Sequence, residues 1–220
     1  MKYTNIALGI IAVGLVTAAV KTMAFMAPAS GTAVITIPAN DGKSVGGGTT
    51  MVLPEKVTSK QGELLAMAYK IAAKDGHKYP QILQGLLLQE THAGALKSYR
   101  VAGQEFGLKS NERYYGLAQI KLAAAKDVIQ AYPKLRDRFE FHTNTDEEII
   151  ANLILNDRYN LEVASKYLLI LGSRYKIPPD KLLNAYNQGP GGAYNANGAA
   201  YAASARQHIA NLARKTSYKQ

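Results

Sequence analysis

The chain has 220 residues, 47% of them apolar, with 26 Lys and Arg against 16 Asp and Glu for a formal charge of +10. That is room for one ordinary domain with a buried core plus an appendage, in anionic surroundings. The absence of cysteine excludes disulfides and thiolate metal sites, and the scattered basic residues form neither an Arg-rich arm nor a nucleic-acid motif.

The four histidines, His77, His92, His142 and His208, lack metal-ligand spacing. No metal, no cofactor and no nucleic-acid partner is therefore expected. An envelope of anionic lipid and wall polymer accounts for the charge. Trp is absent, so fourteen tyrosines carry most of the aromatic content.

Residues 1–29 begin with Lys2, continue through an uncharged run at 6–20, and resume after Lys21 with a second apolar patch at 23–29. A basic start, an apolar middle and a small-residue end make the layout of an export signal or a membrane anchor. The first run falls short of the about 20 apolar residues of a spanning helix. Adding the second patch makes it long enough, with Lys21 reaching toward a headgroup. No clean small-x-small cleavage site follows the first run, which favours a retained anchor. Either layout puts the remainder outside the cytoplasmic face, on the periplasmic side of an inner membrane. Residues 30–60, with Gly46, Gly47 and Gly48 followed by Thr49 and Thr50, have the composition of a flexible linker. A short strand at 33–37 is the only ordered element suggested within it.

From 61 to 215 the apolar pattern is helical almost throughout, predicting an all-α or mostly α domain of short helices. Leu64, Leu65, Ala68, Ile71 and Ala72 make one stripe, closed by Asp75 and Gly76. Pro80 opens a helix over 81–91. Residues 92–115 are a polar loop, and 117–131 is an Ala-rich helix stopped by Pro133. Thr145 and Glu148 make a capping box for a helix over 146–155. Helices over 160–171, 179–187 and 199–214 complete the domain.

Three segments carry chemistry. Glu90 lies three, four and seven residues after Leu87, Leu86 and Leu83, so it shares their face and is directed inward. Burial disfavours the charged carboxylate, as a general acid near neutrality requires. A buried Glu paired with a Lys or Arg is the other reading, and the segment alone leaves both open. Gly116 allows close backbone approach to a ligand, and Gln119 offers an amide donor and acceptor for sugar groups. Tyr186 shares a face with Leu182 and Leu183, and its hydroxyl needs a polar partner. Asn187 and the turn from Gly189 follow as a pocket rim.

In this order the segments resemble the lytic transglycosylase family related to goose-type lysozyme. That family has Glu-Ser ending a helix, then Gly-Leu-Met-Gln, and later Ala-Tyr-Asn-x-Gly. Here the matching residues are Glu90-Thr91, Gly116-Leu117-Ala118-Gln119 and Ala185-Tyr186-Asn187-Gln188-Gly189. A further family segment, Asn-hydrophobic-x-x-Gly-x-x-Tyr-Leu, is matched by Asn160, Leu161, Tyr167 and Leu168 but lacks the Gly. Thr91 for Ser keeps the hydroxyl, whereas Ala118 for Met removes a large side chain at the cleft.

The resemblance implies a lysozyme-like catalytic domain that cleaves the β-1,4 bond between N-acetylmuramic acid and N-acetylglucosamine. Glu90 would be the catalytic acid and base, leaving a 1,6-anhydro-muramoyl end. Tyr186 would orient Glu90, while Thr91, Gly116, Gln119, Asn187 and Gly189 would line the substrate site. The implied partners are peptidoglycan strands, the membrane, and the proteins of a secretion apparatus or phage virion. Two alternatives stand beside it. A hydrolytic lysozyme on the same fold would need a second carboxylate from Glu105, Glu112 or Asp127. A non-catalytic, membrane-anchored glycan-binding scaffold would need none.

Overall fold

Thr58 and Gln61 cap each other at the start of the first long helix: the Thr58 hydroxyl accepts from the Gln61 amide, and the Gln61 side-chain oxygen accepts from the Thr58 amide at 2.9 Å. Two amides that the helix cannot satisfy are paired by this box. The helix, α1, runs Ser59–Lys74 and buries Leu64, Leu65, Ala68, Ile71 and Ala72, the expected stripe. The computed structural model describes residues 34–37, 49–52, 58–95, 101–102, 109–136 and 143–215. The expected anchor at 1–29 lies outside them, and no described helix is long and apolar enough to cross a membrane. Within the stretch expected as a linker, strands β1 (Val34–Ile37) and β2 (Thr49–Val52) pair antiparallel, with Val34 opposite Val52.

Seven α-helices are described, and the domain is mostly helical. After α1 come α2 (Gln81–Thr91), α3 (Leu122–Ala131), α4 (Asp146–Leu155), α5 (Asp157–Ser173), α6 (Leu182–Gln188) and α7 (Ala199–Lys215). The Thr145–Glu148 box opens α4 as expected. Helix α5 starts ahead of the expected residue 160 because the Asn156 side chain accepts from the Tyr159 amide at 3.0 Å. Where one helix was expected over 179–187, a 3-10 turn at Pro179–Lys181 precedes α6.

Two expectations fail between 92 and 121. The polar loop contains two short strands, β3 (Val101–Ala102) and β4 (Tyr114–Tyr115), which with β5 (Ile120–Lys121) form an antiparallel sheet in that order. Residues 117–121 are not helical either. Gly116 to Gln119 form the turn between β4 and β5, closed by the Gln119 amide on the Gly116 carbonyl at 3.1 Å. The helical propensity of Leu117, Ala118 and Gln119 loses to a tertiary partner. Asn160 on α5 accepts from the Ala118 amide at 2.8 Å and donates to the Tyr115 and Leu153 carbonyls at 2.9 and 3.1 Å.

Helix α5 is the central element, with Tyr159, Leu161, Val163, Ala164, Leu168 and Leu171 all buried. It packs against α1, α3, α4 and α6. Ser165, fully buried, donates to Asp75 at 2.6 Å, and its hydroxyl lies 3.0 Å from His77 Nε2. Lys166 completes the cluster with an ion pair to Asp75 at 2.5 Å. The Ser165 hydroxyl thus ties α5 to the end of α1. Helices α2 and α7 approach closely at Gly85, where a Cβ would fall 2.3 Å from Ile209 Cγ1 and 2.8 Å from the Ala205 carbonyl. Only a residue without a side chain allows that spacing.

Candidate active site

Leu83, Leu86 and Leu87 are fully buried on α2, as the helix phase requires. Glu90 continues their face at the last turn, and its side chain is partly buried. Burial raises its carboxyl from the ordinary 4.5 to about 7. A hydrogen bond from the Tyr201 hydroxyl to Glu90 Oε1 acts the other way, because it favours the carboxylate. Desolvation is the larger influence. Among the described residues no Lys or Arg acts on this carboxyl, so the paired-glutamate reading finds no partner there.

Two tyrosines lie in the field of Glu90. The Tyr201 hydroxyl is pushed well above its ordinary 10 by burial and then by the Glu90 charge. Tyr186 is raised in the same direction, again by burial first and Glu90 second. Its hydroxyl donates to the Ala118 carbonyl at 2.8 Å, and its ring meets Tyr167 edge-on at 5.7 Å. Tyr186 thus lies near Glu90, as expected, but its hydroxyl bonds the turn and not the carboxyl. Tyr201 on α7 makes the direct bond to Glu90, while Tyr186 anchors the 116–119 turn. Sequence reasoning missed Tyr201. Its signal is the spacing Tyr201, Ala205, His208 and Leu212, which places it on the inward stripe of α7.

Thr91 is 1% exposed, and its hydroxyl donates to the Leu117 carbonyl at 2.9 Å and accepts from the Gly94 amide at 3.2 Å. It therefore fastens the end of α2 to the turn instead of facing a cleft. Gly116, at φ +71°, was expected to admit a ligand. The close neighbours are protein atoms: a Cβ would fall 2.1 Å from the Leu153 carbonyl and 2.3 Å from Asn160 Nδ2.

Gln119 also has a left-handed backbone, φ +48°, and its side chain donates to the Gly116 carbonyl at 2.8 Å. A non-glycine residue held there stores strain that the surrounding bonds must offset. Asn187 accepts from the Gln188 side chain, and Gly189, at φ +79°, ends α6. Glu90, Tyr201, Tyr186 and the 116–119 turn are thus brought together from α2, α7, α6 and the β4–β5 connection.

Of the carboxylates that could serve beside Glu90, Glu112 accepts from the Lys109 amide at 3.1 Å on the surface. Asp127 accepts from the Tyr175 hydroxyl at 3.2 Å. Glu105 lies outside the described residues. His92, in the left-handed cap that ends α2, faces His208 with ring centroids 6.5 Å apart. Among the described residues no group of three or more His, Asp or Glu is gathered to hold a metal ion.

The arrangement can present one carboxyl, half protonated near neutrality, to a bond placed beside it. Comparison with family models, with curated proteins and with solved structures yields no match to this chain.

Proposed function

We propose that the chain is a peptidoglycan lytic transglycosylase with Glu90 as its catalytic acid and base. The observation that carries this reading is the Glu90 carboxyl itself. It sits at the end of an apolar helix, is raised to about 7 by burial, and is held by the Tyr201 hydroxyl. A general acid works best when its pKa lies near the operating pH.

In this reading protonated Glu90 donates its proton to the glycosidic oxygen between N-acetylmuramic acid and N-acetylglucosamine, and the anomeric bond breaks. The muramoyl 6-hydroxyl attacks the anomeric carbon and gives up its proton to the Glu90 carboxylate. The product carries a 1,6-anhydro ring, and Glu90 ends protonated as it began. Tyr201 holds the carboxyl and supports its ionised form between the two proton transfers. Tyr186 and Thr91 hold the turn that bears Gln119, and Gln119, Asn187 and Gly189 line the glycan path.

Transglycosylation rather than hydrolysis is taken from the resemblance carried by Glu90-Thr91, the 116–119 segment and the 185–189 segment. An inverting hydrolase places a second carboxylate about 6.5–9.5 Å from the acid to activate water. Among the described residues Glu112 is engaged by the Lys109 amide and Asp127 by the Tyr175 hydroxyl. Anchored through residues 1–29, such an enzyme would open the wall next to the membrane, for a secretion apparatus or for phage genome delivery.

The test is digestion of purified wall sacculi by the intact chain and by Glu90→Gln. Replacement should lower the rate by about 10²- to 10⁴-fold, the usual worth of a general acid, while the fold persists. Mass spectrometry of the products separates the chemistries, because an anhydro end is lighter by one water than a reducing end. Undiminished activity in Glu90→Gln would exclude this assignment. Binding of sacculi without cleavage by the intact chain would point to the scaffold.

A further inference from the structure

Tyr194 is the most exposed large apolar side chain among the described residues, at 71%. The other exposed tyrosines have partners: the Lys78 ammonium lies 5.4 Å from the Tyr79 ring centre, and Tyr175 bonds Asp127. Tyr194 makes no hydrogen bond or ring contact among the described residues. Its backbone is nevertheless held on both sides. The Asn184 side-chain amide, 6% exposed, donates to the carbonyls of Ala193 at 3.1 Å and Asn195 at 3.3 Å. The Asn195 amide bonds the Gly192 carbonyl at 2.9 Å, and Ala193 is fully buried.

The loop from Gly189 to Gly198 therefore folds back onto the last turns of α6. Tight spacing at its end says the same: a Cβ on Gly198 would fall 2.5 Å from Asn184 Oδ1. Tyr186 lies three residues before this loop and Tyr201 three residues after it. Both ends of the loop are thus fixed at the Glu90 site, and its middle holds an aromatic ring out to solvent on an ordered backbone.

We infer that Tyr194 is a stacking platform for one pyranose ring of a bound glycan strand, beside the bond addressed by Glu90; this rests on the glycan-cleaving reading above. A β-1,4-linked hexosamine carries its polar groups equatorially, so its two faces are apolar C–H surfaces bounded by polar edges. A tyrosine ring matches such a face, and its hydroxyl reaches the polar edge. Because the backbone around Tyr194 is already ordered, binding does not pay to fix it. Aromatic side chains supply large contact area with few torsions to freeze, which suits a strand whose sugars repeat.

The absence of tryptophan makes the test direct. In the full chain carrying Glu90→Gln to prevent turnover, Tyr194→Trp introduces a single indole at the platform. Soluble peptidoglycan glycan strands freed of peptide serve as the probe. Saturable change in indole emission on titration is the expected result. With Glu90 intact and sacculi as substrate, Tyr194→Ala should raise KM roughly tenfold, the scale of one aromatic stacking contact, with kcat within about twofold. Tyr194→Phe should restore most of the lost affinity.

Unchanged emission at glycan concentrations that saturate the protein by sedimentation, with unchanged KM in Tyr194→Ala, overturns the platform. If Glu90→Gln abolishes cleavage in that case, the catalytic reading stands without it. If Glu90→Gln cleaves normally, the catalytic reading fails by itself. Loss of kcat with unchanged KM in Tyr194→Ala also overturns the proposal, since a platform acts on binding.

Discussion

At the scale of single residues, the behaviour of Glu90 is a contest between two influences. Removal from water raises its pKa, and the Tyr201 hydroxyl lowers it. Replacing Tyr201 by Phe keeps the ring and removes the donor, so only the second influence is lost. The carboxylate is then less favoured, and the pKa of Glu90 rises further above about 7. If Glu90 must be protonated to act, the alkaline limb of the pH–rate profile moves to higher pH in Tyr201→Phe. A kcat profile over the neutral range measures the shift. A move to lower pH would mean that Tyr201 does not act through Glu90. The helix phase of Leu83, Leu86 and Leu87 made the burial of Glu90 legible in the sequence. Nothing near Glu90 in the chain named Tyr201, which lies 111 residues away.

Among the elements, the turn at 116–119 departs most from its local preference. Leu117 and Ala118 belong by propensity to the helix that follows, yet both are fully buried in a turn. Asn160 holds them there through the Ala118 amide and the Tyr115 carbonyl, and Thr91 adds a bond to the Leu117 carbonyl from the end of α2. A side chain at Gly116 would meet both a disfavoured backbone angle and the Leu153 carbonyl. Gly116→Ala is therefore expected to cost roughly 2–4 kcal/mol of stability. Urea unfolding followed by circular dichroism measures it, and a loss under 0.5 kcal/mol (on the order of experimental error) would show that the turn relaxes freely. The sequence marked Gly116 through a family pattern. Its reason, the approach of α5 from 44 residues away, needed the packed structure.

For the molecule as a whole, Glu90 couples stability to pH. Below about 4.5 the carboxyl is protonated in folded and unfolded chains alike. Between about 4.5 and 7 the unfolded chain has released this proton while the folded one retains it, so stability falls as pH rises. Above about 7 the loss is complete, on the order of 3 kcal/mol. His77, His92 and His208, all lowered by burial, act oppositely because the unfolded chain takes up their protons first as pH falls. Comparing Glu90→Gln with the parent chain isolates the carboxyl. The variant should gain relative stability as urea melts are moved from about pH 5 to about pH 8. A stability difference independent of pH would mean that Glu90 titrates normally in the folded chain.

The sequence alone determined what short-range interactions decide. Hydrogen bonds three or four residues apart set the Thr145–Glu148 cap, and helical periodicity selected the buried stripe of α1 and the face shared by Glu90. Only the tertiary structure decided which distant groups meet. The pairing of Glu90 with Tyr201 depends on the close crossing of α2 and α7 at Gly85. The turn beneath Tyr186 depends on Asn160 outcompeting a local helix. Periodicity says which face of a helix turns inward; complementary packing and polar satisfaction determine what it finds there.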